Sequence, residues 1–94
     1  MMTMKNPPHP GEILNELYLK ENGLSISKTA NHIGISRQSL SELVNGKNGI
    51  TAQTALRLAK AFNTTPRYWL NLQNNYDLSK AESSVNLDEV EELV

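Results

Sequence analysis

Arg37, Gln38 and Glu42 are side chains of the types that read base-pair edges in the major groove of DNA, and they fall within two turns of helix. An Arg guanidinium pairs bidentately with guanine O6 and N7, a Gln amide with adenine, and a carboxylate accepts from the cytosine N4 amino group. At helical spacing Gln38, Glu42 and Asn45 share one face, while Leu40, Leu43 and Val44 share the opposite one. Ser25, Ser27, Ser36, Ser39, Asn45 and Lys47 surround that polar face and are expected to meet phosphates. The N-terminus of a helix starting near Ile26 would add backbone N–H groups. Glu42 works against indiscriminate binding. A carboxylate near phosphates is repelled unless it finds a cytosine amino group or an Arg, so it sharpens selectivity more than affinity. Any one of these residues alone would be an ordinary solvated position; their joint spacing points to DNA.

Other chemistry has no comparable constellation. His9 and His32 lack a second ligand at metal spacing, cysteine is absent, and no Gly-rich phosphate loop or nucleophile–base pair is present. The expectation is therefore a non-enzyme with no metal and no cofactor.

The elements that must position the reading residues follow from caps and periodicity. Pro10 suits the first turn of a helix, and Ile13, Leu14, Leu17 and Tyr18 recur at helical spacing until Gly23, which predicts a first helix over about 10–21. Ser25 caps a second helix through Ile33, Gly34 ends it, and Ser36 caps a third through about Asn45, with Gly46 at its exit. So tight a connection forces a steep crossing, the geometry of a helix-turn-helix. Ala30 supplies the small side chain needed where the two helices approach; Thr29 departs from the apolar residue the pattern prefers. Thr51 opens a fourth helix with an apolar stripe of Ala52, Ala55, Leu56, Ala59 and Phe62, widened by Leu58. Thr65 and Pro66 open a fifth, carrying Trp69, Leu70 and Leu72. No alternating β-branched run appears, so the fold class is all-α with five helices: a flexible arm over 1–9, a DNA-binding domain over 10–76 and an acidic tail over 77–94.

Net charge divides at the same boundary. Residues 1–76 hold eight Lys and Arg against four Glu, a balance of +4, whereas residues 77–94 hold one Lys against six acidic groups, a balance of −5. A basic body suits phosphates, and an acidic tail suits a basic partner. Within the tail Leu87, Val90 and Val94 lie at helical spacing among Asp88, Glu89, Glu91 and Glu92, a pattern compatible with a short amphipathic sixth helix. At the fifth helix Tyr68, Leu72 and Tyr76 offer more large apolar surface than a small core needs and are assigned to a homodimer contact, with Trp69 and Leu70 closing the core. No apolar run is long enough to cross a bilayer and no secretory signal is visible, so a membrane is not expected as partner and the cytoplasm is the expected compartment.

The stretch from His9 to Leu78 resembles the XRE-type helix-turn-helix proteins and, more closely, the HigA-like antitoxins of bacterial toxin–antitoxin modules. The resemblance is carried by HPGEIL at the start, LSISKTANHIGISRQSLSELVNGKNGIT across the motif, TALRLAKAF in the fourth helix and PRYWLNLQNNYDL in the fifth. It implies a five-helix, lambda-repressor-like domain that dimerises on a palindromic operator in double-stranded DNA, represses its own operon and neutralises a ribosome-dependent mRNA-cleaving toxin. Such a toxin must be basic to hold RNA, so Leu87, Asp88, Glu89, Val90, Glu91, Glu92 and Val94 are assigned to toxin contact. Two other readings share the same helices: a stand-alone repressor without a toxin, which a neighbouring toxin gene would argue against, and a protein-interaction module that has lost DNA binding, which would give no specific complex with its own promoter.

Overall fold

In the computed structural model residues 6–94 are described, and among them every regular element is helical. Helix α1 opens as α-helix over Pro10–Ile13 and continues without a break as π-helix over Leu14–Leu19. The widened turns are visible in the Lys20 amide donating to the Asn15 carbonyl (2.9 Å) and the Leu24 amide to the Leu19 carbonyl (2.8 Å), each an i→i−5 bond. Packing supplies the reason: Leu14 and Leu19, five positions apart, are both buried, and a π-helical turn brings such a pair onto one face. The apolar spacing in the sequence was α-like and did not reveal it.

Helices α2 (Ile26–Ile33), α3 (Arg37–Val44), α4 (Ala52–Phe62) and α5 (Pro66–Ser84) follow. Each starts at the residue whose hydroxyl accepts an otherwise unpaired amide: Ser25 from Lys28 (3.1 Å), Ser36 from Ser39 (3.0 Å), Thr51 from Thr54 (3.3 Å) and Thr65 from Tyr68 (3.1 Å). Asn63 ends α4 in the left-handed region at φ 54°. Helix α5 does not stop near Tyr76 but runs to Ser84, lengthened by side chains that bond along their own helix, among them Gln73 to Asp77 and Ser83 to the Ser79 carbonyl. Of the sixth helix that Leu87, Val90 and Val94 suggested, the chain forms one 3₁₀ turn, Leu87–Glu89, capped by Asn86.

The core draws on every α-helix: Leu14 and Leu19, Ala30 and Ile33, Leu40 and Leu43, Ala55 and Leu58, and a fully enclosed Trp69. Around Trp69 the rings of Tyr18, Phe62 and Tyr68 pack at centroid distances of 5.1, 6.5 and 5.0 Å. The buried indole N–H is satisfied by donating to the Thr64 hydroxyl (2.7 Å). The inward side of α4 is Ala55, Leu58, Ala59 and, partly, Phe62; Ala52 and Leu56, expected in that stripe, are exposed. Helix α5 returns antiparallel along α4, held where Gln73 accepts the Ile50 amide (2.7 Å), and its last turns and the tail draw the molecule out to 50 × 21 × 21 Å.

Candidate nucleic-acid interface

The turn between α2 and α3 is three residues, Gly34 to Ser36. Gly34 adopts φ 81°, a conformation that costs a side-chain-bearing residue energy, and this lets the Gly34 and Ile35 amides both donate to the Ala30 carbonyl at 3.0 and 3.1 Å. The chain then re-enters a helix at once. Arg57 of α4 locks the corner by donating from Nη1 to the Ile33 carbonyl (3.0 Å), lying over Gly34 where any Cβ would meet it. In the sequence Arg57 had figured only as one more positive charge; nothing in its neighbours along the chain signals this role.

From below, α1 seats α3. Gly11 is buried against the last turn of α3, and a Cβ there would collide with the Leu43 carbonyl and stand 3.0 Å from the Val44 Cα. His9 caps α1 by accepting the Gly11 amide at Nδ1 (2.9 Å), and its ring meets the Tyr76 ring edge-on at 4.8 Å. Desolvation, the largest influence, pushes the His9 pKa below its ordinary value. His9 therefore belongs to the packed body, whereas the part of the arm over residues 1–5 lies outside the described residues.

With Leu40 and Leu43 buried beneath, the outer face of α3 presents Arg37, Gln38, Ser41 and Glu42, and these four with Lys47 line one shallow polar depression of about 560 Å³. Lys47 arrives there because Gly46 turns left-handed at φ 75° and the Lys47 amide donates to the Glu42 carbonyl (2.8 Å). Ser41 was missed in the sequence, although it stands one helical turn after both Arg37 and Gln38. Ser36 and Ser39 are exposed at the helix start, with the Ser36 hydroxyl donating to that of Ser39 (2.8 Å). Asn45 turns its amide back to the Ser41 carbonyl (2.8 Å), leaving its carboxamide oxygen, an acceptor, outward. Ser25 and Ser27 are exposed at the start of α2, beside Lys28.

Tyr68, Leu72 and Tyr76 are each half-buried within the single chain. The Tyr18 and Tyr68 hydroxyls are hydrogen-bonded at 3.3 Å, and burial, the largest influence, pushes the Tyr68 pKa up to about 12. What these three residues offer a second copy is their outer edge. All seven tail positions assigned to a toxin are exposed.

A five-helix body with a tightly turned helix pair and a polar outer face on the second helix of that pair defines an XRE-type DNA-binding domain. The chain belongs to the helix-turn-helix family, whose match spans residues 16–69. Virulence-associated protein A' of Dichelobacter nodosus is 49% identical over 78 residues, covering 82% of this chain and 67% of that protein. Antitoxin HigA-1 of Vibrio cholerae is 37% identical over 76 residues, covering 81% of this chain and 71% of the relative. Among solved structures, the Pseudomonas aeruginosa antitoxin HigA with the higBA promoter superposes with a TM-score of 0.88 at 34% identity, over 95% of this chain and all of the other. The family is one of DNA-binding regulators and antitoxins, not of enzymes, and the fold here is the antitoxin-like form. No helix among the described residues is long and apolar enough to cross a membrane.

Proposed function

We propose that this chain is an antitoxin that dimerises on a palindromic operator, represses its own operon through α3 and neutralises a basic, ribosome-dependent mRNA-cleaving toxin through its acidic tail. One observation carries the DNA half: Arg37, Gln38, Ser41, Glu42 and Lys47 converge on one outer depression, with the apolar side of the same helix buried. Arg37, Gln38 and Glu42 read bases. Lys47, Ser36, Ser39, Ser25 and Ser27 bind phosphates, and Asn45 contributes as an acceptor toward base edges or water. The two protomers meet through Tyr68, Leu72 and Tyr76. Likeness to a HigA solved with its promoter supports this reading.

The toxin half rests on Leu87, Val90 and Val94 standing exposed among Asp88, Glu89, Glu91 and Glu92, an apolar anchor within a negative field. Two measurements test the whole. Fluorescence anisotropy with duplex from upstream of its own gene should show specific binding that unrelated duplex does not compete away. In cells expressing the neighbouring toxin, the full chain should restore growth and a chain ending at Ser84 should not, while both bind the operator alike. The cut is made after Ser84 because α5 is intact to that point. Full rescue by the shorter chain would return the tail to a solvated end and move toxin contact into the helical body.

A further inference from the structure

On the side of the domain away from α5, α2 and α4 leave between them a groove of about 800 Å³ floored by Leu24, Ile33, Leu56 and Phe62. Along its walls stand Lys28, His32, Arg57 and Lys60, and neither helix carries a single Asp or Glu. Thr29 lines the same groove with its side chain 4% exposed, and its hydroxyl has no hydrogen-bond partner. Leu56, displaced from the stripe its spacing predicted, is 60% exposed here. An apolar floor and a cationic rim together describe a receptor for a short acidic segment with aliphatic side chains. A nucleic-acid backbone would use the rim but leave the floor uncovered, and a basic partner would be repelled.

The chain itself contains such a segment. In the tail, Leu87, Val90, Leu93 and Val94 are 67 to 113% exposed, with Asp88, Glu89, Glu91 and Glu92 between them. We propose that the groove between α2 and α4 receives the tail, residues 87–94, of a second copy of this chain. The donor is a second copy because reach excludes the chain's own tail. Gln73 is level with the start of α4, so the remainder of α5 travels about 16 Å beyond it. Three residue steps join Ser84 to Leu87 and, fully extended, span at most about 11 Å, short even of the return to the start of α4, so residues 87–94 of the same chain cannot fill the groove. The carboxylates of the tail meet Lys28 and Lys60, and its aliphatic side chains cover Leu56 and Phe62. The pairing uses none of the DNA-reading residues, but it engages the same tail residues that the proposed function gives to a toxin, so on that reading a toxin would have to displace the tail from the groove.

Because the chain has no cysteine, single thiols report the contact without toxin or DNA. Chains carrying Leu56→Cys and Val90→Cys are mixed and oxidised, and mixed disulfide dimers are quantified by mass. Both positions are exposed, so the fold is not at stake. The pair should exceed, by about fivefold or more, the yield of Leu56→Cys with Asn74→Cys on the exposed side of α5. Adding Lys28→Glu and Lys60→Glu to the groove chain should lower the yield about fivefold, and Glu89→Lys with Glu92→Lys on the tail chain should restore it. Equal yields with the Asn74→Cys partner, indifference to the charge reversals, or a failure of the compensating reversal would overturn the proposal. So would a predominant intrachain bridge in the Leu56→Cys/Val90→Cys double variant at high dilution, which would give the groove to the chain's own tail.

Discussion

A residue that reads a base and a residue that holds a phosphate lose different things when truncated. Gln38 is exposed on the outer face of α3, where its amide can form two bonds to one adenine. Gln38→Ala should cost about 1–3 kcal/mol at the preferred operator and relax preference at one base position. Lys47 is exposed beyond the end of the helix and lines the same depression. Lys47→Ala should weaken all duplexes alike and make the salt slope shallower by about one unit, as one fewer counterion is released. Anisotropy titrations of both variants against the operator and point-substituted operators, at several salt concentrations, separate the two. Equal and sequence-independent losses would refute the division of roles. Arg37 and Glu42 both line the depression with Gln38, but no ion pair joins them among the described residues, so the Glu42 carboxylate keeps its selective role at the duplex.

At the scale of the element, the placement of α3 depends on its contact with α1. Gly11→Ala should be among the more damaging single-methyl changes in the chain, because the new Cβ meets backbone at Leu43, which cannot swing aside as a side chain would. Overpacking of this kind costs about 1–3 kcal/mol, and the backbone obstacle places it at the upper end. Thermal melting should show the loss, and operator affinity should fall with it because the last turn of α3 is pushed outward. An unchanged melt would mean that α1 and α3 are not so closely seated. The cap of the same helix carries a pH dependence. The folded pKa of His9 is depressed by desolvation, so the unfolded chain binds more protons through this range, and the Nδ1 that accepts the Gly11 amide cannot do so once protonated. The stabilisation is therefore complete above the ordinary His value of about 6.5 and is lost as pH falls through the lower folded value. His9→Asn retains a capping acceptor at every pH, so its melting temperature should decline less than that of the wild type from pH 8 to pH 5 (about that span). Parallel declines would show that His9 does not carry the effect.

For the whole molecule, the consequence proposed for α5 is assembly. Tyr68, Leu72 and Tyr76 lie along it, half-buried by their own chain, and Leu72→Glu should halve the mass seen by light scattering while circular dichroism keeps its helical form. Operator affinity should then fall more than about tenfold, since a two-fold operator held through one half-site supplies half the contacts. A wild type that is already monomeric at concentrations where it binds its operator would refute the dimer. The charge division of the chain also acts at this scale. The body carries a positive balance and the tail a negative one, and the last turns of α5 with the tail draw the molecule out to 50 Å.

Local interactions determined what the sequence by itself could settle. Ser25, Ser36, Thr51 and Thr65 cap the helices they were expected to cap, Gly34 turns the corner, and Leu40 and Leu43 face inward, because each of these depends on residues within one turn along the chain. What the tertiary structure decided involves partners far apart in sequence. Leu14 and Leu19 share a face only because the core is best filled by a π-helical segment, and Gly11 matters only because α3 crosses it. Arg57 fixes the Ile33 corner from 24 residues away. Leu56 and Thr29 show the same limit: helical periodicity places both near an apolar stripe, but the angle at which α4 crosses α2 leaves one exposed and the other buried without a partner, and no spacing along a single helix encodes that angle.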